Sequence, residues 1–187
     1  RHSFPTRRSS DLVLSDYELE KLRSIDTGNF QAKTLQMYFR ADGKPGSLQK
    51  ALDRICRYAV DAVEDGFEVL VLSDRSIDSE HAAVPSLLFT SAVHHHLIRK
   101  GYRGKVGIVV EAGDVWETHH FACLLGFGAT AINPYLALST IRDMKQRGDL
   151  APCLFDGLTG QAAFGVQRRR VGEAALAGGV YRGEDFG

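Results

Sequence analysis

Three short apolar runs, each preceded by a helix-length amphipathic stretch and a glycine-marked turn, constrain this chain more than any other feature. Phe67–Ser73, Val106–Val110 and Ala129–Ile132 are too short for helices and too uniformly apolar to lie half in water. Such runs are strands covered on both faces, the habit of parallel sheets. Helical patterns fill the gaps. From Ser47, the residues Leu48, Ala51, Leu52, Ile55, Cys56, Ala59, Val60 and Val63 recur at three- and four-residue steps and build one apolar face, which Gly66 ends. A second helix starts near Pro85 and stops at Gly101. A third opens at Asp114-Val-Trp-Glu117, which has capping-box spacing, and runs to about Leu125. A last helix covers Tyr135–Arg147. Upstream, Ser15-Asp-Tyr-Glu18 repeats the capping-box spacing and opens a short helix to about Arg23. Thr34–Phe39 alternates, with Leu35, Met37 and Phe39 on one face, as a half-buried strand does. Strands that alternate with helices across short turns are joined by crossovers. The expected class is therefore α/β, with alternating strands and helices and a mainly parallel sheet.

Composition narrows the function classes. The chain has 187 residues, 44% of them apolar and 25% charged, the profile of one soluble globular domain. Basic and acidic residues both number 23, so no net field draws nucleic acid or an anionic membrane, and neither is expected as a partner. No apolar run approaches the roughly 20 residues needed to span a bilayer. The three cysteines, Cys56, Cys123 and Cys153, are odd in number, far apart and set among apolar residues. They suit buried free thiols in a reducing, cytoplasmic setting better than disulfides or a zinc site. Both ends differ from the middle. Residues 1–12 read as a sequencing-adapter remnant or a disordered leader. Residues 151–187 are glycine-rich, weakly periodic and interrupted by Arg168-Arg169-Arg170, as a loop-rich extension or a shifted reading frame would be. The expected domain is 13–150.

In parallel sheets ligands meet the carboxyl ends of the strands. Those ends carry polar groups here: Ser73-Asp74-Arg75, Glu111 with Gly113-Asp114, and Asn133-Pro134-Tyr135. They should share one rim. Asp and Asn at strand ends also cap helices and shape turns, so the rim alone does not name a chemistry. The consecutive His94, His95 and His96 fan around a helix by about 100° per residue and do not converge. His119 and His120 are adjacent and no better placed, and no two histidines have the i, i+4 spacing of a helical metal pair. Cys123 lies among Phe121, Leu124 and Leu125 and reads as core. No Walker phosphate loop, helix-opening G-x-G-x-x-G, G-x-S-x-G elbow or four-cysteine cluster motif occurs.

A series of blocks resembles one family in colinear order. Leu72-Ser-Asp-Arg-Ser-Ile-Asp78, Pro85-Ser-Leu-Leu88, Ser91-Ala-Val-His-His-His-Leu-Ile-Arg99, Val109-Val-Glu111, His119-His-Phe-Ala122 with Leu125-Gly126, and Ala131-Ile-Asn-Pro-Tyr-Leu-Ala137 are similar to the central domain of the glutamate synthase large subunit. Leu19–Asp26 and Ala51–Cys56 match its early part. The resemblance implies that the chain is a fragment of an enzyme making two glutamates from glutamine, 2-oxoglutarate and a reductant. It implies a connecting role between an amidotransferase domain and a synthase domain binding FMN and an iron–sulfur cluster, beside an ammonia route. NAD(P)H or ferredoxin would supply electrons, directly or through a small reductase subunit. The setting would be cytoplasmic, or plastid for a plant-type parent. No catalytic, cofactor or metal residue of the family carries over to this chain. The interface or tunnel-wall candidates are His94, His95, His96, Glu111, His119, His120, Asn133, Pro134 and Tyr135. The competing reading is a free-standing α/β lyase or hydrolase that uses Asp74, Arg75, Glu111 and Asn133.

Overall fold

The structure, a computed structural model, describes residues 12–25 and 30–149. The expectations for residues 1–11, for the tail after Asp149 and for Cys153 lie outside these. In chain order the elements are α1 (Asp16–Arg23), β1 (Ala32–Gln36), β2 (Tyr38–Arg40), α2 (Ser47–Glu64), β3 (Val69–Ser73), β4 (His81–Ala83), α3 (Ser86–Arg99), a 3-10 turn (Arg103–Lys105), β5 (Gly107–Glu111), α4 (Thr118–Gly126), β6 (Ala131–Asn133) and α5 (Tyr135–Gln146). Four strands form a wholly parallel sheet in the order β1-β3-β5-β6, and β2 pairs with β4 in a small antiparallel sheet.

Strand side chains alternate between two faces, and the two faces have different covers. Leu35, Leu70, Leu72, Ile108, Val110 and Ile132 pack with Ile55 and Ala59 of α2, Phe89 and Val93 of α3, and Leu124 of α4 in the larger core. Val69, Val71, Val109 and Ala131 face the other way and meet Leu19 of α1. The chain reaches α1 from the far side of the sheet. Leu12 and Leu14 hydrogen-bond with Ile132 on β6, through Ile132 N–H to Leu12 O at 2.8 Å and Leu14 N–H to Ile132 O at 2.8 Å. From there α1 leads back toward β1 at the opposite edge.

The expected strand Thr34–Phe39 is two strands. Met37 donates its N–H to Ser73 O at 2.7 Å and accepts Val84 N–H at 2.9 Å, so one residue joins the two sheets. The alternation of Leu35, Met37 and Phe39 is real, but consecutive segments spend it on different partners. The expected capping box at Asp114 is a second correction. α4 begins at Thr118, with Glu117 at the N-cap and no side-chain cap. Asp114 Oδ2 instead accepts the N–H of Ser86 at 3.0 Å. The start of α3 follows Pro85, which offers no side-chain cap, so a carboxylate from another loop satisfies the free donor. The box at Ser15 and Glu18 forms as expected, with both reciprocal bonds.

Candidate functional site

The parallel register sets Gln36, Ser73, Glu111 and Asn133 side by side at the carboxyl ends of β1, β3, β5 and β6. The preceding row is Leu35, Leu72, Val110 and Ile132. Between these two rows the side chains change from apolar to polar on all four strands. By alternation the polar row points to the α1 face, and α1 supplies partners for Glu111 and Asn133. Glu111 is 1% exposed, a position a carboxylate occupies only when paired. Its Oε1 accepts from Arg75 Nε at 2.5 Å and its Oε2 from Arg23 Nη2 at 2.5 Å. Asp16, at the start of α1, accepts from Arg75 Nη2 at 3.2 Å and from Asn133 Nδ2 at 3.1 Å. Asn133 Nδ2 also donates to Leu14 O at 2.9 Å, and Arg142 of α5 reaches Asp16 at 3.5 Å. The rim is a network that ties β3, β5, β6, α1 and α5 together.

One residue past the polar row, Asp74 is buried. Its Oδ2 accepts Gly113 N–H at 2.8 Å, and the Tyr135 hydroxyl donates to it. Burial pushes the Asp74 carboxyl above its ordinary value, against those two bonds. Burial and the nearby Asp74 raise the Tyr135 phenol to about 12. Arg75 lies over the Tyr135 ring, 4.3 Å from its centroid. A Cβ on Gly113 would stand 2.9 Å from the Tyr135 oxygen, so the bare backbone is what lets that hydroxyl reach Asp74.

The arrangement limits the chemistry. Both oxygens of Glu111 accept from guanidinium groups and the side chain is 1% exposed, so a substrate has no open approach to it as a base. The rim arginines Arg23, Arg75 and Arg142 are already paired with Glu111 and Asp16, and the Gly113 amide is engaged by Asp74, which does not suit a flavin phosphate. Among the described residues no group of three or more His, Cys, Asp or Glu side chains is placed to hold a metal ion, and the two described cysteines lie on different helices, so the residues do not fit an iron–sulfur cluster.

Of the expected site residues, the structure brings Glu111, Asn133, Pro134 and Tyr135 together at the rim and scatters the histidines. His94, in the third turn of α3, accepts Arg103 Nε on Nδ1 at 2.8 Å; Arg103 also binds Val106 O and Gly128 O, both at 2.7 Å. His94 is thus part of a brace at the amino-terminal ends of β5 and β6, opposite the rim. His95 and His96 line a groove between α2 and α3. His119 and His120 sit on the exposed first turn of α4, where His120 Nδ1 accepts Trp116 N–H at 3.1 Å. Cys123 is half-buried rather than core, with its sulfur 3.5 Å from His119 Nε2. That His/Cys pair has i, i+4 spacing, a signal that attention to histidine pairs alone passes over. Arg23 and Asp16, which complete the rim, carried no local signal; Arg23 lies far upstream of Glu111 in sequence.

Residues 7–178 match the family model described as the glutamate synthase central domain. Among curated relatives, the ferredoxin-dependent glutamate synthase of Pyropia yezoensis is 43% identical over 132 residues, which is 70% of this chain and 8% of the relative. A ferredoxin-dependent glutamate synthase of Arabidopsis thaliana is 44% identical over 139 residues, 73% of this chain and 8% of that protein. The glutamate synthase [NADPH] large chain of Bacillus subtilis is 39% identical over 138 residues, 74% of this chain and 9% of that one. The matched region is thus less than a tenth of the length of each of these relatives, and across most of its own length this chain belongs to the glutamate synthase central domain family.

Proposed function

We propose that this chain acts as the connecting domain of a glutamate synthase, positioned between an amidotransferase domain and a synthase domain and lining part of the route that ammonia takes between them. The parent reaction would convert glutamine and 2-oxoglutarate to two glutamates with electrons from ferredoxin or NAD(P)H, and FMN and the iron–sulfur cluster would belong to the synthase domain. A cytoplasmic or plastid location goes with the same reading. The observation that carries the scaffold role is Glu111. The carboxylate at the end of β5 is 1% exposed and accepts from Arg23 and Arg75 on its two oxygens. A buried carboxylate so paired fixes the relation of elements; it does not attack or abstract. The free-standing lyase or hydrolase reading needs that carboxylate available and draws no support from this geometry.

The candidate residues then divide by exposure. Glu111, Asn133 and Pro134 are buried and act as posts that set the rim. His95, His96, His119, His120 and Tyr135 reach the surface and would touch neighbouring domains, while His94 braces the amino-terminal ends of β5 and β6. The test uses a full-length member of the family altered at the positions that align with His119, His120 and Tyr135. Changing the histidines to Ala and the tyrosine to Phe should leave glutamine hydrolysis active but raise the ammonia released per glutamate formed. Unchanged coupling in all three variants would refute the assignment.

A further inference from the structure

Arginines on this molecule rarely stand alone. Nine fall among the described residues. Arg23, Arg40, Arg75, Arg142 and Arg147 form ion pairs, Arg54 binds Tyr38 O, and Arg103 holds His94. Only Arg57 and Arg99 make neither an ion pair nor a hydrogen bond among the described residues. They come from different helices, α2 and α3, and both line one groove of about 680 Å3. Lys50 stands in the same groove and Lys100 in its continuation past His96. The acids there are few. Asp53 accepts from Gln49 Nε2 at 2.9 Å, and Asp61 lies in the continuation. In a chain of zero formal net charge, this is a local excess of positive charge.

Charged side chains on a helix surface ordinarily just stand in water. Three features separate this place from that case. The charges converge on a concavity instead of fanning over a convex face. The groove has apolar lining from Leu52, Ala92 and Leu88, and Leu88 remains 42% exposed. The field also acts on a titrating neighbour: burial first, then Arg99 and Lys100, lower the His96 imidazole below its ordinary value. Two unpaired guanidinium forks over apolar lining match a ligand that offers planar carboxylates with apolar groups between them.

We propose that the α2–α3 groove docks a carboxylate-rich polypeptide segment of a partner surface. Arg57 and Arg99 grip its aspartate or glutamate side chains, and Leu88 packs against an apolar residue between them. Asp53, inside the groove, would repel a continuous phosphate backbone, while separate carboxylates can straddle it. The proposal deepens the interface role given above to His95 and His96, and rests on it, by naming the chemistry of what meets them.

The 187-residue chain is titrated into a fluorescein-labelled peptide of Glu-Glu-Leu repeats, with a Gln-Gln-Leu peptide and an oligothymidylate as comparators, and binding is read by anisotropy. The acidic peptide should bind in preference to both comparators, and its affinity should fall as salt rises. Arg57→Glu and Arg99→Glu should each weaken it about tenfold, while Arg147→Glu on α5 should change it less than about twofold. Circular dichroism checks that each variant is folded, and Arg57→Gln with Arg99→Gln is the milder pair if a reversal unfolds the chain. Equal binding by the groove variants, equal binding of the Gln-Gln-Leu peptide, or preference for the oligonucleotide would each overturn the proposal. If it fails while the His119, His120 and Tyr135 variants of a full-length enzyme still uncouple, the groove assignment alone is wrong.

Discussion

Asp74 shows at one residue what the rim requires of its side chains. The carboxyl is 5% exposed, receives Gly113 N–H and the Tyr135 hydroxyl, and has an Oδ1 without a hydrogen-bond partner among the described residues. Burial outweighs the two bonds and raises its affinity for a proton above the ordinary value of 3.8. The folded chain therefore binds that proton more tightly than the unfolded chain does. The stability contributed by Asp74 is complete below the unfolded value and is lost as pH rises through the folded one. Asp74→Asn removes the titration and keeps an oxygen for Gly113. From about pH 4 to about pH 7 the stability of the Asn variant should therefore improve relative to the parent chain. Urea denaturation of both proteins across that range measures the gap, and a gap that stays constant contradicts the reading. Tyr135 depends on the same contact, so a change in its phenol titration in the variant would report the bond directly.

At the scale of elements, the four helices after α1 end alike and one of those ends is under a further constraint. α2, α3, α4 and α5 each close with a glycine at positive φ, at Gly66, Gly101, Gly128 and Gly148. Paired backbone bonds accompany each, as in Phe67 N–H to Ala62 O and Gly66 N–H to Val63 O after α2. Gly128 is the demanding case. Its φ is +105°, and an added Cβ would fall inside the His94 imidazole. Gly128→Ala should cost about 3 kcal/mol, from backbone strain together with overpacking. Adding His94→Ala should recover part of that loss by vacating the space, and a double-mutant cycle read by thermal melts measures the recovery. Strictly additive losses would show that the strain is in the backbone alone. Gly66 and Gly101 were readable as helix ends because local chemistry stops those helices. The split at Met37 was not readable, because alternation looks the same whether one partner strand or two receive it. β4, only His81–Ala83, is too short to show a period. Asp114 looked like the cap of its own helix, yet its acceptor serves α3, and sequence spacing cannot distinguish a local from a borrowed cap. At the rim, Glu111, Asn133 and Tyr135 were legible from the rule about strand ends. Arg23 and Asp16 were not, since their part in the site depends on the return of α1 across the sheet.

The whole molecule is built unevenly around its sheet. One face carries the large core from α2, α3 and α4, while the apolar cluster on the α1 face has five buried members among the described residues: Leu19, Val69, Val71, Val109 and Ala131. Leu19 is the one member that α1 contributes. α1 covers this face with one fully buried leucine, the half-buried Leu22 and the polar contacts of Asp16 and Arg23, a smaller apolar hold than the larger core has, so α1 should open as a unit before the sheet does. Opening also withdraws Arg23 and leaves the buried Glu111 with Arg75 alone, so the ion pair and the apolar contact break together. Leu19→Ala should therefore act on the cover more than on the core. Its loss at this site should be about 3 kcal/mol. Amides of α1 should exchange with solvent at least about tenfold faster, while those of β3 and β5, held between neighbours on both sides, should change less. An equal acceleration in α1, β3 and β5 would mean that the two faces unfold as one, and that the uneven division of the core has no counterpart in how the molecule opens.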